Sequence, residues 1–240
     1  GIPEDFCFDE LPEDFDHFEP MLEKAMHRMP ILETAGIQTF FNGPESFTPD
    51  NRYYLGAAPE VNGVFVATGF NSTGIHSAGG AGKMLADWIR DGHPPVDLWD
   101  VDARRILSFQ SNVSYLHDRT VESLGLLYAM HWPFRQPETA RGIRRTPLYD
   151  RLKAANACFG EAGGWERPNF FAPKGVAPEY DYTYGKPKWL EYSGNEHRAV
   201  REHVGLLDIS TFSKFLLQGR DAEKVINHVS AGNMSVEPGK

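Results

Sequence analysis

The chain has 240 residues, 41% hydrophobic and 24% charged, with a net charge of −9, a globular balance that excludes collagen-like, coiled-coil and low-complexity architectures. No run approaches 18 consecutive apolar residues, so no membrane span is expected. The charge is uneven: residues 1–23 hold nine carboxylates and no Lys or Arg, which speaks against nucleic acid at this end and reads as a solvated acidic surface. Cys7 and Cys158 are too few for a disulfide framework or a metal cluster, and a reducing compartment is the simplest reading. The chain opens Gly1-Ile2-Pro3 with no initiator Met and no signal-peptide pattern, and is read as a portion of something longer.

Asp14 precedes Phe15, Phe18, Leu22, Met26 and Met29 at three- and four-residue steps, so residues 15–29 are expected as a capped amphipathic helix that Pro30 ends. Gly43 to Asn51 is turn chemistry throughout. Val64 to Ala67 is a short apolar run bounded by Asn62-Gly63 and Thr68-Gly69, the pattern of a buried strand. A loop, Gly69 to Ile75, leads into a helix whose residues Ala81, Met84, Leu85, Trp88 and Ile89 share one face, ended by Gly92 and Pro94-Pro95. This order leaves the first helical N–H groups unpaired at the positive end of the helix dipole, a place for an electron-rich oxygen or phosphate. Gly79, Gly80 and Gly82 would serve equally a tight helix–sheet contact or the approach of a flat ligand. A P-loop is excluded because Met84 follows Gly82-Lys83 and Ser77 stands where the first glycine is needed, and no Gly-x-Gly-x-x-Gly turn opens the unit.

Residues 119–130 carry Val121, Leu124, Leu127 and Tyr128 at helical spacing, and a basic segment follows with Arg135, Arg141, Arg144, Arg145, Arg151 and Lys153 against Glu138 and Asp150. In an acidic chain this patch is expected to make inter-domain ion pairs, with nucleic acid as the competing partner. Residues 160–190 read as an extended connector with aromatic anchors. Ser193 and Glu196 form a capping-box pattern for a helix that Gly205 ends. Leu206 to Ile209 and Phe212 to Leu217 are expected as strands, and Asp221 as the cap of a helix through Val225, Ile226 and Val229. The nine histidines show no metal-ligand or catalytic spacing, and no Gly-x-Ser-x-Gly elbow occurs. No metal site is expected, and no catalytic residue can be assigned.

Several longer motifs carry a resemblance. They are Pro44 to Asp50, Gly69 to Ile75 with Gly79 to Lys83, Leu124 to His131, Pro147 to Leu152, Gly164 to Pro168, and Gly205 to Ser210 through Gly219 to Ala222. In this order they resemble the dimethylglycine and sarcosine dehydrogenase family, an FAD-dependent amine oxidoreductase fused to a folate-binding domain similar to the T-protein of glycine cleavage. The resemblance implies an α+β, multidomain fold. Residues 1–93 would be the C-terminal part of the FAD domain, 94–150 a small central domain, 151–192 a connector, and 193–240 the start of the aminomethyltransferase-like folate domain. It implies FAD and tetrahydrofolate as cofactors and an N-methyl amino acid as substrate, with the electron acceptor open, no nucleic acid partner, and a bacterial cytoplasm or mitochondrial matrix as the location. Oxidation of the N-methyl group would yield an iminium whose carbon passes to tetrahydrofolate. The residues expected to face the flavin are Gly69, Phe70, Asn71, Ser72, Thr73, Gly74 and Ile75, and the catalytic side chains are expected outside this chain. A non-catalytic protein of the same architecture, like the pyruvate dehydrogenase phosphatase regulatory subunit, is the alternative.

Overall fold

A helix needs a first-turn acceptor and an apolar stripe, and the N-terminal region supplies both in the computed structural model, which describes residues 2–237 and 239. Helix α1 (Phe15–Arg28) is capped by Asp14, whose carboxylate accepts the His17 N–H at 2.9 Å. Its Phe15 and Phe18 rings close on Phe40, at centroid distances of 4.5 and 5.2 Å. Gly1 and Lys240, which bound the expected first and last domains, and Pro238 lie outside the described residues. The chain forms two compact units, residues 1–140 and 141–240.

In the first unit, strands β1 (Tyr54–Ala57) and β2 (Phe65–Thr68) form an antiparallel ribbon that pairs Leu55 with Ala67. The strand expected at 64–67 is therefore present one residue later, but it is not buried: Ala67 and Thr68 are exposed. A two-stranded ribbon has only one covered face, and here the cover is helix α2 (Gly74–Asp91). Trp88 of α2 is 3% exposed and lies on Gly56, where an added Cβ would stand 2.4 Å from the indole. Gly92 ends α2 in the left-handed conformation, at φ 76°, with its N–H on the Trp88 carbonyl.

The ribbon continues into residues 98–105. The Leu55 N–H donates to the Val101 carbonyl at 2.8 Å, and Leu55 is 1% exposed. Arg105 grips Asp50 through two N–H groups at 2.9 and 3.0 Å and donates to the carbonyls of Arg52 and Tyr53, while its guanidinium lies over the Tyr54 ring. Helix α3 (Val113–Leu127) is tied to the same turn: Ser123 donates to the Pro49 carbonyl, and Asn51 donates to the Ser123 carbonyl.

The second unit holds helix α4 (Tyr149–Ala154), strands β3 (Ala157–Ala162) and β4 (Trp165–Phe171), helix α5 (Trp189–Glu202) and helix α6 (Ala222–Val229). The segment read as an extended connector thus carries a β-hairpin. Its turn is Gly163-Gly164, with φ 57° and 80°, the positive-φ pair that a two-residue hairpin turn demands. The register shifts between Cys158 and Phe159, opposite Pro168, whose missing N–H breaks the ladder. Cys158, Phe170 and Ala172 form the buried centre, covered by Tyr180, Trp189 and Tyr192; burial pushes the Cys158 thiol up to about 11, so it stays protonated.

Two further expectations give way. Helix α5 begins at Trp189, before Ser193, and Glu196 is no capping-box residue: its carboxylate accepts the Phe171 N–H at 2.7 Å. The strands expected at 206–209 and 212–217 are irregular, because no neighbouring strand among the described residues pairs with them and an isolated strand leaves its backbone groups unmatched. Helix α6 forms as expected from Asp221.

Three of the arginines expected to dock between domains, Arg141, Arg144 and Arg145, make their contacts inside the second unit. Arg141 clasps Glu166 through Nε at 2.9 Å and Nη2 at 2.5 Å, and Glu166 also accepts the Gly142 N–H at 2.6 Å. Arg144 stacks on Trp165 and donates to the Gly163 carbonyl, and Arg145 stacks on Tyr149.

Two outcomes follow from these contacts. Gly56→Ala places a side chain at φ 115° against Trp88, and is expected to lose about 2–4 kcal/mol through strain and overpacking, read as a lower urea midpoint. The Glu166 carboxyl is held below its usual value of 4.5; although burial opposes ionisation, the bonds from Arg141 and Gly142 outweigh it. A lowered carboxylate contributes stability above its unfolded pKa and loses it as pH falls through the folded one. Melting temperature is expected to drop on acidification below about pH 4.5, and Glu166→Gln should flatten that part of the profile while lowering the neutral-pH plateau.

Candidate functional site

The loop between β2 and α2 is built from a backbone that turns left three times, with φ 67° at Gly69, 50° at Asn71 and 61° at Ser72. Such a conformation is costly for Asn and Ser, at about 1 kcal/mol or more each, and persists only where surroundings impose it. Asn71 supplies the constraint. Its side chain is 2% exposed; Oδ1 accepts the Thr48 N–H at 2.8 Å, while Nδ2 donates to the Gly69 carbonyl at 2.6 Å and to Thr48 Oγ1 at 3.1 Å. Its N–H reaches the Ser46 carbonyl at 3.2 Å. Thr48, 1% exposed, passes the connection on by donating to the Arg52 carbonyl. Gly69 has to be glycine, since a Cβ would meet the Thr48 methyl at 2.6 Å.

The seven residues expected to face a cofactor divide into two groups. Gly69 and Asn71 are buried scaffolding, and Phe70 stacks on Tyr53 at 4.7 Å. Ser72 is exposed and donates to Glu45 at 2.6 Å. Thr73 occupies the cap of α2 without capping it, for its hydroxyl donates back to the Phe70 carbonyl at 2.5 Å. The first helical N–H groups, those of Gly74, Ile75 and His76, therefore have no acceptor among the described residues. Ile75 is fully exposed.

The glycines of α2 resolve between the two uses open from spacing. Added Cβ atoms at Gly79, Gly80 and Gly82 would meet nothing within 4 Å, so they make no close contact with the ribbon; that contact belongs to Gly56 and Trp88. Ile75, Gly79 and Gly82 follow at steps of four and three, on one side of the helix. An uncapped helix end beside the side-chain-free positions Gly79 and Gly82 suits a flat, electron-rich group such as an isoalloxazine, so the residues present fit a flavin. Sequence reading missed Thr48 and Asn71 as partners; the signal lay in two motifs, Pro44 to Asp50 and Gly69 to Ile75, that share a purpose only when folded. Among the described residues no three metal-ligating side chains cluster, and no helix is long and apolar enough to cross a membrane.

Comparison of the sequence with known proteins matches it to a family. Residues 2–88 match the model of the FAD dependent oxidoreductase, 91–146 that of its central domain, and 148–240 that of the GCVT N-terminal domain. Over 97% of its length the chain is 46% identical to a 4-methylaminobutanoate oxidase (formaldehyde-forming) of Paenarthrobacter nicotinovorans. Over 95% it is 38% identical to the mitochondrial pyruvate dehydrogenase phosphatase regulatory subunit of Mus musculus, and over 99% it is 35% identical to human mitochondrial sarcosine dehydrogenase. It spans 28%, 27% and 29% of those relatives. An FAD-dependent oxidoreductase followed by a T-protein-like part, α+β and multidomain, is the class so defined. The chain belongs to the family of fused FAD-dependent oxidoreductase and T-protein-like proteins that includes the sarcosine and dimethylglycine dehydrogenases.

Asn71→Ala leaves the Thr48 N–H and the Gly69 carbonyl buried without partners. It is expected to cost about 2–4 kcal/mol in urea unfolding. Combined with Thr48→Val, the loss should fall short of the sum by about 1 kcal/mol, as for two halves of one network.

Proposed function

We propose that the chain is part of an FAD-dependent enzyme that demethylates an N-methyl amino acid of the dimethylglycine or sarcosine type and passes the one-carbon unit to tetrahydrofolate. The uncapped N-terminus of α2, held in place by Asn71, carries this reading. FAD, when bound, supplies the two-electron acceptor for oxidation of the N-methyl carbon. The N–H groups of Gly74, Ile75 and His76 would hold the flavin's electron-rich carbonyl edge, and the helix dipole there favours the negative charge that builds on reduction. Gly79, Gly80 and Gly82 would leave room beside it. Substrate side chains are assigned to none of these residues.

For the division of the chain, we assign 1–93 to the flavin domain and 94–150 to the central one. Residues 193–240 open the folate-binding part, to which the hairpin within 151–192 also belongs. We place the protein in a bacterial cytoplasm or a mitochondrial matrix, in line with the bacterial and mitochondrial relatives. The regulatory reading has its support in the 38% identity to a phosphatase regulatory subunit, and the higher identity to an oxidase favours the enzyme.

The deciding experiment is anaerobic mixing of the full-length protein with sarcosine, dimethylglycine and 4-methylaminobutanoate. Bleaching of the flavin spectrum by one of them is expected; a protein without bound flavin, or one that none of them bleaches, would favour the regulatory reading. Thr73→Asp tests the loop itself. A carboxylate at this helix end should stabilise the flavin-free protein by about 0.3–1 kcal/mol while competing for the same N–H groups, so flavin content and reduction potential should both fall. Thr73→Ala should change little, because the backbone is the donor.

A further inference from the structure

The second unit contains an open groove of about 540 Å³ between α4, the β3–β4 hairpin and the segment that begins at Arg141. This lies within the range that small-molecule sites occupy. Its charged lining is Arg141, Arg145, Lys153 and Glu166, three cations against one anion. The carboxylate is fully engaged: Glu166 Oε1 accepts from Arg141 Nε and the Gly142 N–H, and Oε2 accepts from Arg141 Nη2. Arg145 and Lys153 make no ion pair among the described residues.

Arg145 is also held in position. Its guanidinium lies 4.6 Å over the Tyr149 ring, which in turn packs on Phe159 at 4.7 Å. The backbone of Gly142 also approaches it so closely that a Cβ there would stand 2.7 Å from Nη2, and φ of 74° keeps that position for glycine. A guanidinium fixed by stacking keeps its N–H edge for a ligand, and its fork matches the paired oxygens of a carboxylate or phosphate. Lys153 follows Tyr149 by four residues on α4, so it projects from the same side of the helix.

We propose that this groove binds a small organic dianion, a phosphate monoester or a dicarboxylate, with Arg145 gripping the anionic group and Lys153 adding the second positive charge. The proposal does not rest on the flavin reading, since the groove lies wholly within the second unit.

The test is calorimetric titration of the full-length protein at low salt with phenyl phosphate, phthalate and, as the neutral control, phenol. One or both dianions are expected to bind with Kd below about 1 mM, and phenol to leave no signal. Phenyl phosphate alone would identify the phosphate class, and phthalate alone the dicarboxylate class. Arg145→Gln should weaken binding at least about tenfold, and Arg145→Lys, which keeps the charge but loses the fork, should fall between the two. Both side chains are exposed, so melting temperature and flavin content should match the parent, which separates loss of the site from loss of the fold. Absence of binding by either dianion, or binding that Arg145→Gln and Lys153→Gln leave unchanged, would overturn the proposal.

Discussion

The carboxamide of Asn71 is the interaction on which the first unit depends. A neutral side chain with one acceptor and two donor hydrogens can join two stretches of backbone at once, and this one joins Thr48 to the loop at 69–71. Through Thr48 the same network reaches Arg52 and Asp50, and through Asp50 it reaches Arg105. The order of the α2 N-terminus therefore comes from a buried network. Local helix chemistry does not provide it, since the cap residue turns its hydroxyl away. Leaving a helix end uncapped forgoes about 1 kcal/mol of stability, and the buried partners of Asn71 offset that loss.

Helix α2 has two sides with opposite tasks. One side carries Ala81 and Trp88 into contact with the ribbon, and the fit is close enough that Gly56 tolerates no Cβ. The other presents Gly79 and Gly82, where an added Cβ would meet nothing within 4 Å among the described residues. Packing against the ribbon fixes the helix on the first side, so the second is presented in a constant position.

The second unit uses charge differently. Arg141 and Glu166 form a bidentate pair in which the carboxylate is 3% exposed, and such a pair is kept only where the remaining lone pairs are also satisfied. Gly142 satisfies one of them. The pair closes the strand β3–β4 hairpin onto the segment before α4, and Arg144 continues the closure by pairing its backbone with Gly164 and Glu166. Arginines that sum to a basic patch in the sequence thus split into Arg135 and Arg141, which pair with carboxylates, and others such as Arg144 and Arg145, which stack on aromatic rings and make no ion pair among the described residues.

Periodicity and capping signals located α1, α2 and α6, and the C-terminal part of α3, whose start at Val113 precedes the expected 119, because those helices depend on local stripes and on neighbours within a turn: Asp14 before Phe15, Gly92 after Asp91. The Gly163-Gly164 turn is equally local, yet the composition around it reads as a connector, since a turn signal has no strand length attached until its two arms pair. Motif order alone was enough to indicate the family. What required the tertiary structure were the properties set by residues distant in sequence: that Asn71 serves Thr48, that Glu196 serves Phe171, that Gly56 and not Gly79 is the close contact, and that Arg141 belongs to Glu166. Strands at 206–217 were expected from apolar runs and did not form, because a strand is completed by a partner's backbone, and a side-chain pattern carries no information about whether that partner is there.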